Sequence, residues 1–460
     1  MLFDAAHRAQ YAARIAEPYT IGSGVPNNRG QPRFQSHAAE IEDVLQPMLH
    51  REAPENHGGQ MKIKGGLVLI AMGALLLPAC STQQMVQVAT AKNPQQALKS
   101  MADRRVSAYK YNPELVLADL KKVQAEYNRL IGKVQKESGA KWGKRESGTL
   151  PSRTRYVKYT ENYKNRVVVD YDAGTILIEH LDEDKAKEKL RNAAVVALLT
   201  PGDPGAVDLF SDKEIALTGK PYLQELVVDQ NNAVIKTREE MERYADYLVA
   251  NKLQSRTIDA NSIKKNVLYV RMNMVNTHMD KRALQYAAAV RRNSDTTQVN
   301  RSLIYAIIKI ESSFNPYAVS SAPAYGMMQL VPASGGREAY RKAKGEDVMP
   351  SKDYLFDANN NIELGSTYLS VLLNDSPLSQ VSNPVSREYC AIAAYNTGPS
   401  NVFRAFSSLG GKARQEEALN RINSMRPDEV YDALRTRLPY EETRGYIVKA
   451  LDAKKHYAAM

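Results

Sequence analysis

Glu311 is the residue whose type and setting point most directly to chemistry. It follows Ile307-Ile308-Lys309-Ile310, and the spacing of Leu303, Ala306, Ile307 and Ile310 predicts a helix over 298–312. A carboxyl at the end of such a helix lies among apolar side chains and at the negative end of the helix dipole. Both disfavour the ionised form, which suits a group that must donate a proton near neutral pH. A glutamate near a helix C-terminus is more often a solvated charge or half of an ion pair, so its neighbours decide the reading.

Those neighbours form four separated motifs: Glu311-Ser312-Ser313-Phe314-Asn315-Pro316 followed by Ser320; Gly326-Met327-Met328-Gln329; Ala394-Tyr395-Asn396; and Glu442-Thr443-Arg444-Gly445-Tyr446. In order and spacing they resemble the family-one lytic transglycosylases, which have a lysozyme-like fold. Residues 155–279, with Tyr156-Val157-Lys158-Tyr159, Val207-Asp208-Leu209-Phe210-Ser211 and Met279-Asp280-Lys281-Arg282-Ala283, are further similar to the C-type membrane-bound branch of these enzymes.

The resemblance implies roles position by position. Glu311 would protonate the glycosidic oxygen. Ser320 and Gln329 would hydrogen-bond the N-acetyl or lactyl groups, Tyr395 would reach the reacting centre, and Asn396 would brace its turn. Glu442 and Tyr446 would line the same groove, with Ser312 and Met328 also counted among the substrate-binding positions. Met327 replaces the usual Leu, a change that conserves volume. Each polar residue also has a plainer reading: Ser320 and Gln329 as turn caps, Tyr395 as core with its hydroxyl satisfied, Glu442 paired with Arg444.

Between Ser312 and Arg337 there is no Asp or Glu. Most glycosidases use two carboxylates, and substrate-assisted enzymes are the exception. A second carboxylate could still come from Asp353, Asp357 or Glu363. The family chemistry needs none: the substrate's N-acetyl oxygen attacks the anomeric carbon, Glu311 serves as acid and then base, and a 1,6-anhydromuramoyl end results with no cofactor or metal. A goose-type lysozyme, which hydrolyses, and a non-catalytic wall-binding lipoprotein are the alternative readings.

The elements that must position these residues divide the 460-residue chain. From 280 onward short helical patterns recur without strands, predicting an all-α lysozyme-like domain over 280–460. Residues 153–279 predict a small α+β domain. Two β-branched runs flank Asp172-Ala173-Gly174 there, a hairpin signal with glycine at the left-handed position. Helices are expected over 183–199 and 238–250, and further strands over 223–228 and 267–275. The fold class is thus α+β overall. Residues 81–152 read as a polar tether carrying one helix near 113–137, broken by the Gly139-Ala140-Lys141-Trp142 segment.

Upstream, Met61 opens a signal-peptide pattern: Lys62 and Lys64, an apolar run over 67–77, then Leu77-Pro78-Ala79-Cys80. The run is too short for a bilayer span. It resembles a lipobox, which implies acylation of Cys80 and, with Ser81 following, an outer-membrane anchor facing the periplasm. Residues 1–60 lack lysine and hold four of the seven histidines, so they read as a mis-assigned or disordered extension, with Met61 the expected start. The other cysteine, Cys390, reads as a buried hydrophobe. The formal charge of +11 comes from basic residues mixed with acidic ones, without zinc-finger spacing or aromatic RNA-binding signatures, and nucleic acid is not expected as a partner. Peptidoglycan, with its stem-peptide carboxylates, suits that charge.

Overall fold

The structure is a computed structural model that describes residues 113–181 and 184–460. The signal-peptide pattern, Cys80 and the start of the expected tether lie outside the described residues.

Val167, Val169, Ile176 and Ile178 alternate with more exposed positions and are buried on one face of a five-stranded antiparallel sheet. Its strands are β1 (Arg155–Thr160), β2 (Asn165–Asp170), β3 (Thr175–Leu181), β4 (Gln254–Ala260) and β5 (Ile263–Asn273), in spatial order β1-β2-β3-β5-β4. Gly174, with φ of 66°, makes the β2–β3 turn as its pattern predicts. Helix Ala186–Leu199 lays Leu190, Ala193, Ala194, Ala197 and Leu198 on the sheet at helical spacing. Helix Arg238–Asn251 packs beside it and starts at a capping box between Thr237 and Glu240.

Three local expectations need correction. Residues 223–228 form turns and isolated bridges, not a strand; Leu223, Leu226 and Val227 are buried there through tertiary packing. β1 and β4 were not expected. β4 carries polar, exposed residues along much of its length and takes its register from β5. The helix placed in the tether is also more than a tether. It runs Pro113–Trp142, continues through Gly139, and packs against both β4 and the Pro332–Gly336 turn of the helical half. Trp142 anchors its end, fully buried, with its indole N–H donating to the Tyr163 carbonyl at 2.6 Å. Gln124 reaches the Ser321 carbonyl at 3.0 Å. Burial of one large aromatic outweighs the weak helix propensity of a single glycine.

From His278 the chain is helical. Helix Arg301–Ser312 starts at Asn300, whose side chain accepts from Ser302 N–H, and buries Leu303, Ile304, Ala306, Ile307 and Ile308. Around it pack Glu441–His456 and the terminal turn at Tyr457–Ala459. Helix Ala358–Ser370 joins Ala287–Thr297, Arg337–Lys344 and Pro384–Thr397. Two short helices open this half, His278–Gln285 and Ala287–Thr297, separated at Tyr286.

The sheet half grips the turn that follows Ser312. Arg282, wholly buried, donates to the Ser313 carbonyl at 2.6 Å and to the Tyr171 carbonyl at 2.5 Å. Asp172 accepts from the Ser313 hydroxyl at 2.8 Å and from Lys309 at 2.7 Å. Tyr222 donates to the Phe314 carbonyl at 2.5 Å, and the Tyr317 hydroxyl donates to the Pro201 carbonyl. Burial, then the Arg282 and Lys309 charges, push the His278 imidazole down to about 4. A neutral ring can accept from Arg282 through Nδ1, 2.7 Å away.

Candidate active site

Glu311 occupies the last turn of Arg301–Ser312 and is 0% exposed. Ser313 ends that helix in the left-handed conformation and Phe314 follows with φ of 56°, so two consecutive non-glycine residues hold a costly backbone. The hydrogen bonds donated by Arg282 and Tyr222 and the one accepted by Asp172 act on these same two residues. Asn315 completes the turn: its side chain accepts from Tyr317 N–H at 3.0 Å and donates to the Arg153 carbonyl at 3.0 Å.

Helix Glu441–His456 packs along the Glu311 helix and brings the Tyr446 hydroxyl to Glu311 Oε1, at 2.9 Å. Asn396 sets the register of that helix by accepting from the Thr443 hydroxyl at 2.7 Å, both groups buried. On the other side, Arg153 Nη1 lies 3.8 Å from Glu311 Oε2 and 3.7 Å from Glu442 Oε1. Glu311 therefore meets a phenol from its own half and a guanidinium from the segment leading into β1. The plainer alternative, Glu442 paired with Arg444, is not made; Arg444 donates to the Leu438 carbonyl.

The Gly326-Met327-Met328-Gln329 turn forms the next part of the site. Gly326 has φ of 75°, and a Cβ there would lie 2.2 Å from the Leu355 carbonyl oxygen, so only glycine fits. Asn361 stitches the turn, donating to the Tyr325 and Leu355 carbonyls at 2.8 Å each and accepting from Met328 N–H at 2.7 Å. The Tyr395 hydroxyl donates to the Met328 carbonyl at 2.8 Å. Gln329, 1% exposed and with φ of 48°, donates to the Gly326 carbonyl at 2.8 Å. Among the described residues nothing hydrogen-bonds its Oε1. That leaves an acceptor for an N–H of a ligand.

Sequence reasoning therefore named residues that fall into two groups. Glu311, Tyr446 and Glu442 converge, the last through Arg153. Tyr395, Asn396 and Gln329 brace the turns around them, and Ser320 accepts from Ala324 N–H at 3.4 Å, a turn cap. Ser312 and Met328, expected as substrate contacts, have side chains engaged within the helical half. The Ser312 hydroxyl donates back to the Ile308 carbonyl at 3.1 Å, and the buried Met328 side chain lies against Gly365. Asn361, Thr443 and Arg153 were missed. Arg153 has no local signature, being 158 positions before Glu311 in the sequence.

A buried glutamate at a helix end, held by a tyrosine within a helical domain, is the arrangement expected of a lytic transglycosylase. Comparison with known proteins agrees. The profile of the transglycosylase SLT domain matches residues 288–418, and that of the membrane-bound lytic murein transglycosylase C N-terminal domain matches 119–285. The membrane-bound lytic murein transglycosylase C of Klebsiella pneumoniae (strain 342) is 43% identical over 303 residues, 66% of this chain and 81% of that protein. Its counterpart in Sodalis glossinidius is 42% identical over 303 residues, 66% of this chain and 82% of that protein. The solved 70 kDa soluble lytic transglycosylase of Escherichia coli matches 37% of this chain and 24% of its own at 26% identity, with a TM-score of 0.29. The chain belongs to the membrane-bound lytic murein transglycosylase C family.

Proposed function

We propose that this enzyme cleaves the β-1,4 bond between MurNAc and GlcNAc in peptidoglycan without consuming water. Glu311 gives its proton to the bridging oxygen as the C1–O4 bond breaks, and that bond's electrons leave with O4. The substrate's N-acetyl oxygen bonds to C1 in the same step. The Glu311 carboxylate then takes the proton of the 6-hydroxyl as O6 bonds to C1 and the acetyl oxygen departs, closing the 1,6-anhydro ring. Proximity supplies much of the rate, because the nucleophile belongs to the substrate.

The observation that carries this reading is the enclosure of Glu311, with Oε1 on the Tyr446 hydroxyl. The Tyr446 phenol, donating to Oε1, helps to hold the carboxyl in one orientation. Gln329 Oε1 suits the N–H of an N-acetyl group. The hydrolytic alternative finds its second carboxylate in Glu442, which approaches the same guanidinium as Glu311. Mass spectrometry of digested sacculi separates the two: anhydromuramoyl products are expected, and muropeptides with reducing ends would show hydrolysis instead.

Cys80, in its lipobox-like setting, is proposed to carry the acyl anchor, with the enzyme on the periplasmic side of the outer membrane. The relatives named membrane-bound support membrane association. Among the described residues no helix is long and apolar enough to cross a membrane.

A further inference from the structure

The line formed by Glu311 Oε2, Arg153 Nη1 and Glu442 Oε1 is not explained by the acid-and-base chemistry alone. Its two separations, 3.8 and 3.7 Å, are ion-pair distances beyond hydrogen-bond reach, so the guanidinium acts on both carboxylates through its charge. Arg153 is also the member supplied by the sheet half. Its backbone is sewn to the Glu311 turn, since Asn315 Nδ2 donates to the Arg153 and Ser152 carbonyls at 3.0 and 3.4 Å. The side chain that meets Glu311 therefore starts from a point fixed relative to Glu311.

Resting on the reading of Glu311 above, we propose that Arg153 is a positioning residue for the proton donor: it stabilises the carboxylate that appears when Glu311 gives up its proton and holds that carboxylate for the second step. When the O–H bond of Glu311 breaks and the glycosidic oxygen takes the proton, negative charge is born within 4 Å of the guanidinium. A fixed cation already in place needs no solvent rearrangement to stabilise it. Glu442 shares the guanidinium from its outer side, where its side chain is 39% exposed against 28% for Arg153 and 0% for Glu311. Among the charged and titratable groups facing Glu311 are Arg153 and, through it, Glu442, together with the Tyr446 phenol. Lys309, on the same helix, is engaged by Asp172.

The small domain, on this view, supplies part of the catalytic centre. The test measures kcat and KM of the purified full chain on isolated sacculi for Arg153→Gln and Arg153→Lys, at a temperature where melting curves show each variant folded. Arg153→Gln is expected to lower kcat by about tenfold or more, with KM changed less than about twofold, and Arg153→Lys to recover most of the loss. Wild-type kcat in Arg153→Gln, or a lysine variant no better than the glutamine one, overturns the role. Glu311→Gln is run in parallel. If it stays active, the reading of Glu311 itself falls; if it is dead while Arg153→Gln is unimpaired, only the role of Arg153 falls.

Discussion

Among the described residues two glutamates are completely enclosed, and they are enclosed differently. Glu179, in the sheet half, accepts from Arg166 at 2.7 Å and from Arg256 at 2.9 and 3.1 Å. Both arginines also bind Glu146, and Arg166 lies over the Trp142 ring at 4.2 Å. Glu311, in the helical half, meets the Tyr446 phenol at 2.9 Å and the Arg153 guanidinium at 3.8 Å. The first is a saturated ion network, which holds a fold in place. The second meets its guanidinium at ion-pair range, beyond hydrogen-bond reach. Complete burial is common to both, and the distance to the guanidinium differs between them.

Exchanging each glutamate for its amide breaks the comparison most sharply. Glu311→Gln is expected to lower the cleavage rate by about 10⁴-fold, roughly 5.5 kcal/mol in the barrier, with little change in melting temperature. Turnover of labelled sacculi and a thermal melt check both halves of that statement. Glu179→Gln should do the reverse. Breaking a buried pair costs about 4 kcal/mol of stability, read from denaturant unfolding, while kcat per folded molecule stays close to wild type. A Glu179 variant that melts normally would erase the distinction.

Acid sharpens the contrast at a smaller scale. The hydrogen bond from Arg256, reinforced by Arg166, holds the Glu146 carboxyl down at about 2, against 4.5 for a free glutamate. A folded-state value below the unfolded one contributes stability that is present above pH 4.5 and is lost as pH falls from there toward 2. The loss is on the order of 2 kcal/mol, discounted because the Glu146 side chain is 20% exposed. Glu146→Gln should flatten stability against pH in that window, as followed by urea midpoints.

Much of this was legible in the sequence where the signal is local. The Gly174 turn, the helix ending at Ser312 and the recurrence of four motifs all depend on residues near one another in the chain, and backbone sterics or periodicity announce them. Tyr446 was legible only through its motif, because its contact with Glu311 depends on how Glu441–His456 packs. Arg153 and Asn361 were not legible: each acts on a turn far along the chain, and an arginine or asparagine alone carries no record of what it will touch. Trp142 misled in the other direction. It sat in a segment whose glycines read as a break, and only the tertiary pocket around its indole keeps the helix going.

The buried Arg282 also governs how the chain comes apart. Its guanidinium donates to carbonyls of Tyr171 and Ser313, one in each half, so parting the halves takes from it one of these two acceptors. A single unfolding transition is accordingly expected for the two regions that separate family profiles describe. Grafting the 119–285 region alone onto a foreign partner would leave that cation without its Ser313 acceptor.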